Sequence, residues 1–567
     1  MARLKYNFTW KKYHRWFGLV LSVFMLVFCV SGIILNHREA FSGCEVSRKW
    51  LPASYHIKNF NNGVVKGTVV KNSGSLAISE GFSDSILVYG CAGVFLTDYQ
   101  LSTWQDFNAG LPKSIDERNV RHLVQARDGS LWCAALRDVY RYDENARQWK
   151  KVELPGNEER IMDVALAKDS MTVVALTRSR VFTIVPFVQY GEIVKIGKSS
   201  SETYRVESKI IPAPKNYEPK TTLFKLVWHL HSGEFFGLPG KLVVDAIALV
   251  LIVLSITGII RFILPYGIRR AKKVKSEERR VKNSLAAKNR MKRLGKLFAW
   301  NMKWHNKIGY VTIVLTLWIA ITGMCLRPPL MVPLVLSKLP QAVGEDGNVW
   351  QDKLRAIRWD AVQGDWLVST SEGFLRVDED FSQAPKMLPD DECPKLSPMG
   401  VTVWESDGKG GWIVGSFRGI YRWNPVNHSL NQILDYFTGK PSEETSMIPI
   451  SDNLVCGYSE DFLGGKPLVF DFAKGVEDAK GQAVALCNDE PKTSRNEESM
   501  SDLICETAPM SLWNVALELH VGRCYSPFLG PLSDLFVFLS GLLITLVLLS
   551  GYIISHRRRK KAQARLK

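Results

Sequence analysis

Four stretches of this chain are long and apolar enough to cross a bilayer, and everything else has to be arranged around them: Trp16 to Leu35, Leu242 to Leu264, Ile308 to Leu326 and Leu535 to Ile554. Each approaches the roughly 20 apolar residues needed to span about 30 Å of hydrocarbon. Four crossings return both termini to one side. The motifs at the ends of these stretches occur twice. Leu-His-x-Gly appears in WHLHSGEFFG (Trp228 to Gly237) and again in ELHVGR (Glu518 to Arg523). In both copies an aspartate follows the histidine by fourteen residues, His231 to Asp245 and His520 to Asp534. Upstream, KYHRWFGL and KWHNKIGY place His14 and His305 four residues before a glycine, with a Ser/Thr-Gly pair further on at Ser31-Gly32 and Thr322-Gly323. The interval from His14 to His231 is 217 residues and from His305 to His520 it is 215, so the chain reads as one unit duplicated.

Charge sets the orientation. The net charge of +17 invites a nucleic-acid reading, yet the basic residues sit at the ends of the spans. Residues 265–304 hold fourteen Lys/Arg against two Glu, the arm to Arg15 holds five, and Arg557 to Lys567 holds seven, together +24 and leaving about −7 for the rest. No nucleic-acid partner is expected. Positive residues stay on the cytoplasmic side, so both termini and the 265–304 loop are expected in the cytoplasm and the two long insertions, 40–222 and 330–515, outside it. Eight of the ten cysteines (Cys44, Cys91, Cys133, Cys393, Cys456, Cys487, Cys505 and Cys524) fall on that outer side, where disulfides can persist. The first apolar stretch is too long for a cleaved signal and lacks a small-residue cleavage site, so it is expected to stay as an anchor.

The insertions carry a period of their own. SILVYGCAGVFLTD, GSLWCAALRDVYRYD and MTVVALTRSRVFTIV place Cys91, Cys133 and Ala175 at equivalent points 42 residues apart. DWLVSTSEGFLRVD, GGWIVGSFRGIYRWN and NLVCGYSEDFLGGKPLVFD continue the pattern in the second insertion. Each unit is a strand, a tight turn and a second strand, the hairpin of a propeller blade. One blade cannot bury both its faces, so the insertions are expected to close one composite ring of six to seven blades, with two separate half-domains as the alternative. Strands such as GSLWCAA followed by VYRYD resemble the repeats of two-component-regulator propellers, a resemblance of architecture.

The segment order is then an arm and first span (1–39), a β insertion (40–222), a surface segment with the second span (223–264), a basic loop (265–304), the third span (305–329), a second β insertion (330–515), a surface segment with the fourth span (516–556) and a basic tail (557–567). The expected fold class is a membrane α-helical four-span bundle, an internally duplicated two-helix unit, plus an all-β periplasmic domain. His229 and His231 stand two apart and face different sides of a helix, so the repeated His231 is the better candidate. His56, His122 and His428 lie in the insertions without a partner motif and read as ordinary surface residues.

Histidines near a bilayer serve metal ligation, haem ligation or proton relay. A b-type haem asks only for two neutral imidazoles on opposite sides of a flat cavity between helices. The duplication supplies two such pairs, His14 with His305 at the cytoplasmic side and His231 with His520 at the outer side, so two b haems are the expected cofactors. Gly18, Gly32, Gly309 and Gly323 either let a porphyrin approach the backbone or allow close helix packing. No Cys-x-x-Cys-His occurs, which excludes covalent c-type haem.

HRWFGL with SGIILNH, and LHSGEFFG with an aspartate opening the next span, are similar to the PepSY-associated transmembrane helix proteins, which include ferric-siderophore reductases. The resemblance covers the four membrane segments and implies a haem-bearing protein of the bacterial inner membrane that reduces a periplasmic ferric chelate or siderophore; the sequence does not disclose the electron donor, for which a quinol and a cytoplasmic reductase are the candidates. Two departures stand out. The insertions read as propeller blades rather than PepSY modules, and Arg327-Pro328-Pro329 stands where the first half has Asn36-His37, so His37 has no counterpart and could replace His231 or His520 as a ligand. The alternative function is a membrane-anchored propeller that senses or binds without redox activity. A metal permease fits less well, because the mid-span stretches hold almost no polar side chains.

Overall fold

The computed structural model describes residues 2–71, 85–101, 103–186, 188–189, 192–193, 204–278, 285–344, 346–397, 400–432, 454–462, 464–478, 484 and 508–566. The chain forms two compact units. One is helical, made of Met1–Phe41, Lys220–Gln341 and Leu512–Lys567, and the other, Ser42–Pro219 with Ala342–Ser511, is built of sheets.

In the helical unit, α1 (Ala2–Asn36) runs unbroken through the first apolar stretch. Next, α2 (Leu223–Ser232) starts at Thr222, whose hydroxyl accepts from the Lys225 N–H, and stops at Gly233 with φ +79°. Glycine is required there: the left-handed backbone disfavours any side chain, and a Cβ would run into the Gly240 carbonyl. The chain then turns into α3 (Gly237–Glu278). The second half repeats this with α4 (Leu285–Val311), α5 (Ile313–Cys325), α6 (Leu512–His520) ending at the left-handed Gly522, and α7 (Ser533–Leu566). α1 packs along α3 and α7, α3 along α4, and α5 along α7. A short antiparallel pair, Lys220–Thr222 with Lys338–Pro340, joins the strand that returns from the first insertion to the one that departs for the second.

Among the described residues, three helical stretches are long and apolar enough to cross a membrane, Lys11–Asn36, Glu234–Gly267 and Arg523–Lys561. The third expected span differs from a straight helix. Asn289–Val311 and Ile313–Cys325 meet at an angle of 68°, so the apolar window Ile308 to Leu326 straddles a bend at Thr312. At the bend, Thr312 Oγ1 donates to the Ile308 carbonyl at 2.9 Å, and the buried Thr316 donates to Thr312 and Ile313 at 3.1 Å.

The other unit is a succession of antiparallel meanders. Sheet 1 comprises Gly67–Lys71, Ser85–Gly90, Gly93–Asp98 and Trp104–Asp106, and sheet 2 His122–Gln125, Leu131–Ala134, Val139–Asp143 and Gln148–Val152. Sheet 3 comprises Ile161–Leu166, Val173–Thr177, Val181–Pro186 and Tyr204–Lys209. From the second insertion come sheet 4 (Leu354–Asp360, Asp365–Thr370, Gly373–Val377, Lys386–Met387) and sheet 5 (Val403–Ser406, Trp412–Ser416, Gly419–Asn424, Ser429–Gln432). Sheet 6 has three strands among the described residues, Val455–Ser459, Leu468–Asp471 and Gly475–Asp478. All six expected hairpins form. Their strands are nearly continuous apolar runs because consecutive sheets pack face to face and leave neither face wet. Leu87, Val120 and Cys133 lie between sheets 1 and 2, Val139 and Val164 between 2 and 3, Leu176 and Ile357 between 3 and 4. Phe374 and Trp404 lie between 4 and 5, Ile413 and Val469 between 5 and 6, and Val88 with Phe470 between 6 and 1.

The expected 42-residue spacing needs one correction. Ala134 pairs with Val139 and the Ala135 N–H bonds the Asp138 carbonyl, whereas the matching turn of sheet 1 pairs Gly90 with Gly93. Cys133 therefore corresponds to Val88, and Cys91 sits in the turn, because the connection from sheet 1 to sheet 2 is longer than the next one. Cys44, Cys91, Cys133, Cys393, Cys456 and Cys524 are free thiols, and Cys487 and Cys505 lie outside the described residues.

Candidate functional site

The four repeated histidines come together in two pairs, as the duplication implies. His14 on α1 and His305 on α4 have ring centroids 6.4 Å apart with planes at 66°, and His231 on α2 and His520 on α6 are 6.1 Å apart at 51°. Each ring is gripped by a Ser/Thr-Gly pair of a neighbouring span. His14 Nδ1 lies 2.9 Å from Ser550 Oγ and 3.0 Å from the Val547 carbonyl. His305 Nδ1 is 2.8 Å from Thr257 Oγ1, His231 Nδ1 3.0 Å from Thr322 Oγ1, and His520 Nδ1 3.0 Å from Ser31 Oγ and 3.1 Å from the Phe28 carbonyl. The following glycine lies against the same ring: a Cβ on Gly323 would stand 2.8 Å from His231, on Gly551 2.9 Å from His14, on Gly32 3.3 Å from His520, and on Gly258 3.7 Å from His305.

These clamps fix the tautomer. Ser550 donates its proton to the Val547 carbonyl, Thr257 to Val253, Thr322 to Trp318 and Ser31 to Val27. A hydroxyl that has given its one proton to a carbonyl can only accept, so every Nδ1 carries the hydrogen and every Nε2 keeps its lone pair. Among the described residues nothing hydrogen-bonds these four Nε2 atoms. Two imidazoles bound to one metal atom from opposite sides, at the roughly 2.0 Å nitrogen–metal distance usual for histidine, have centroids about 6 Å apart. The donor type, protonation and ring spacing are those that two histidines would need to hold a haem iron at each pair.

The clamps are exchanged between halves. His14 and His231 of the first half are held by α7 and α5 of the second, and His305 and His520 by α3 and α1 of the first. Because α1 carries His14 at one level and Ser31 at the other, seventeen residues of helix separate the sites, about 25 Å at the usual rise.

His37 is placed elsewhere. Its Nε2 lies 2.6 Å from Asp245 Oδ2, whose other oxygen accepts from Asn36 at 3.2 Å. The second half repeats this with a permanent cation, Arg327 at 4.0 Å from Asp534, so arginine occupies the position where the histidine motif is missing. Gly18 and Gly309 face Val547 and Leu254 and serve helix packing, while Gly32 and Gly323 lie against imidazoles. Thr257-Gly258 and Ser550-Gly551 were not singled out in the sequence, although a Ser/Thr-Gly pair in each of the four spans was the signal.

In the β unit, His56 bonds the Leu51 carbonyl and His428 is an exposed partner of Glu392. His122 departs from expectation. It is largely buried and bonded to Arg358 and Asp163, partners that strand order alone brings near.

The family model of the PepSY-associated TM region matches residues 3–264 and 271–559. No curated protein matches the chain. Among solved structures, the extracellular domain of BT4673 from B. thetaiotaomicron, described as a one component system, aligns over 73% of this chain and 32% of its own at 11% identity and a TM-score of 0.32. A second structure of a BT4673 extracellular domain, described as a hybrid two component system, aligns over 74% of this chain and 39% of its own at 9% identity and a TM-score of 0.29. The chain thus spans about a third of the length of these structures. Its family is set by the model match, which runs through both halves of the duplication: this is a multi-pass membrane protein of the PepSY-associated transmembrane family.

Proposed function

We propose that the protein carries electrons across a bacterial inner membrane through two b-type haems and reduces an acceptor on the outer side, a ferric chelate such as a siderophore complex. The observation that carries this reading is the double set of imidazole pairs about 6 Å apart, each with Nδ1 clamped and Nε2 unbonded among the described residues. His14 and His305 hold one haem, His231 and His520 the other. Bound there, haem supplies a one-electron iron couple. The chain's own residues orient the ligands: the Ser/Thr acceptors raise imidazole basicity and hold the rings in one rotation, which limits rearrangement between charge states.

The same reading treats the bent pair as the third of four crossings, with the basic ends cytoplasmic and both insertions periplasmic. The six sheets form a composite six-bladed propeller. Its support is the sequence of shared cores, in which sheet 6 packs on sheet 1 as each other sheet packs on its successor. The donor is a quinol or a cytoplasmic reductase.

The test is reduction across a vesicle membrane. Proteoliposomes loaded with dithionite and supplied outside with ferric EDTA and a ferrous indicator should turn over one ferrous ion per electron. His305→Ala and His520→Ala should each abolish it. Turnover that survives both substitutions, or haem-loaded protein that passes no electrons, would refute the conduit.

A further inference from the structure

The β unit contains a second built site, which the electron-transfer reading does not use. The first strands of sheets 2, 3 and 4 bring together His122, Asp163 and Arg358. Arg358 Nη1 donates to Asp163 Oδ2 at 2.6 Å and to the Ile357 carbonyl at 2.6 Å, Nε donates to the Trp404 carbonyl at 3.0 Å, and Nη2 to His122 Nε2 at 3.1 Å. His122 Nδ1 donates to the Val164 carbonyl at 2.6 Å and lies 3.2 Å from Asp163 Oδ1. Because a guanidinium can only donate, His122 Nε2 accepts from it. Asp163 is only 5% exposed and Arg358 13%. Burial alone would push the Asp163 carboxyl up, but the Arg358 charge and then His122 hold it below the ordinary range. A buried carboxylate thus pins the guanidinium from behind, with four of its five N–H groups engaged and one left on Nη2.

In front of that guanidinium lies a cavity of about 360 Å³. Its lining residues include Arg358, His122, Lys168, Ser170, Trp359 and Leu166, and among the described residues no Asp or Glu. The nearest acid to Lys168 is Glu379 at 3.9 Å, both more than half exposed, a pairing too weak to cancel its charge. A volume of this size with few convergent polar groups and apolar walls suits a small molecule.

We propose that this cavity binds a small organic anion, a carboxylate on an apolar body. The carboxylate takes the remaining Arg358 N–H, the Lys168 ammonium and the Ser170 hydroxyl, and the body lies against Trp359 and Leu166. With Asp163 already paired to Arg358 and Glu405 close by, selection for the anion rests on Lys168, and the preoriented guanidinium gives the carboxylate its direction.

Calorimetry on the full-length protein in detergent, with phenylacetate and the isosteric phenylacetamide as probes, tests it. Phenylacetate should bind one per chain and at least tenfold more tightly than the amide. Lys168→Glu, on the exposed rim, should weaken phenylacetate at least tenfold. Arg358→Lys keeps a cation beside Asp163 but loses the fork; it should weaken binding similarly while thermal unfolding shows that the β unit is intact. Equal affinity for acid and amide, no binding of phenylacetate, or phenylacetate binding indifferent to Lys168→Glu would each overturn the assignment.

Discussion

Two glycines test the histidine clamps most sharply. Real Cβ contacts almost never fall below 3.0 Å, and an alanine at Gly323 or Gly551 would stand 2.8 or 2.9 Å from an imidazole, whereas at Gly258 it would stand at 3.7 Å. Gly323→Ala and Gly551→Ala should each lower haem retained per chain, and Gly258→Ala should not, as counted by the pyridine haemochrome of purified protein; equal retention in all three contradicts the clamp geometry. Thr257→Val removes the acceptor from His305 Nδ1 and weakens that imidazole as a ligand donor. It should keep the haem and raise the midpoint potential of the centre at His14 and His305. In the β unit, Arg358→Met leaves Asp163 charged and buried and should cost about 3–5 kcal/mol, most of it recovered by adding Asp163→Asn. Urea unfolding of the two variants measures this. Lys66 gives a pH signature. Burial first and Arg121 second lower its pKa to about 8, against an unfolded value of about 10.4. The penalty for burying its charge is fully present below pH 8 and lifts between there and the unfolded value, so stability relative to Lys66→Met should rise with pH across that window. At this scale the histidines were legible because they repeat, and Ser31 and Thr322 because they repeat with them. Ser550 and Thr257 were not, since their role appears only when α7 meets α1 and α3 meets α4. His122 was hidden because its burial depends on Arg358, 236 residues away.

Elements follow from periodicity wherever one rule acts alone. The six hairpins and the unbroken α1 form where alternating or continuous apolar runs and glycine turns specify them. The third apolar window forms two helices that meet at 68°, a bend that hydropathy does not register. The 42-residue period slipped in sheet 1 because a loop length changed while the hairpin chemistry did not. Orientation is tested at the same scale. A reporter active only in the cytoplasm, fused near Asn427 between two strands of sheet 5, should be silent, and activity there would reverse the topology. If the sheets close one ring, residues 40–222 expressed alone should be unstable, because sheets 1 and 3 would each lose a packing neighbour from the second insertion. A stable monomeric fragment would support two half-domains.

Across the whole molecule, the duplication is more than a doubling of length. Each half supplies two imidazoles and clamps the two belonging to the other half, so neither half completes a site without its partner. Where the halves differ in sequence, His37 beside Asp245 against Arg327 beside Asp534, a nitrogen donor faces an aspartate in both, apart from the imidazole pairs. The central claim is that these pairs are axial ligand sets, and the most direct measurement is the haem count of purified protein and its single-histidine variants. Wild type should carry two b haems per chain. His14→Ala or His305→Ala should leave one, His231→Ala or His520→Ala should leave the other, and His37→Ala should leave both. A wild type without haem, or four histidine variants that all retain the wild-type count and absorption, would contradict the pairing and with it the electron-transfer account.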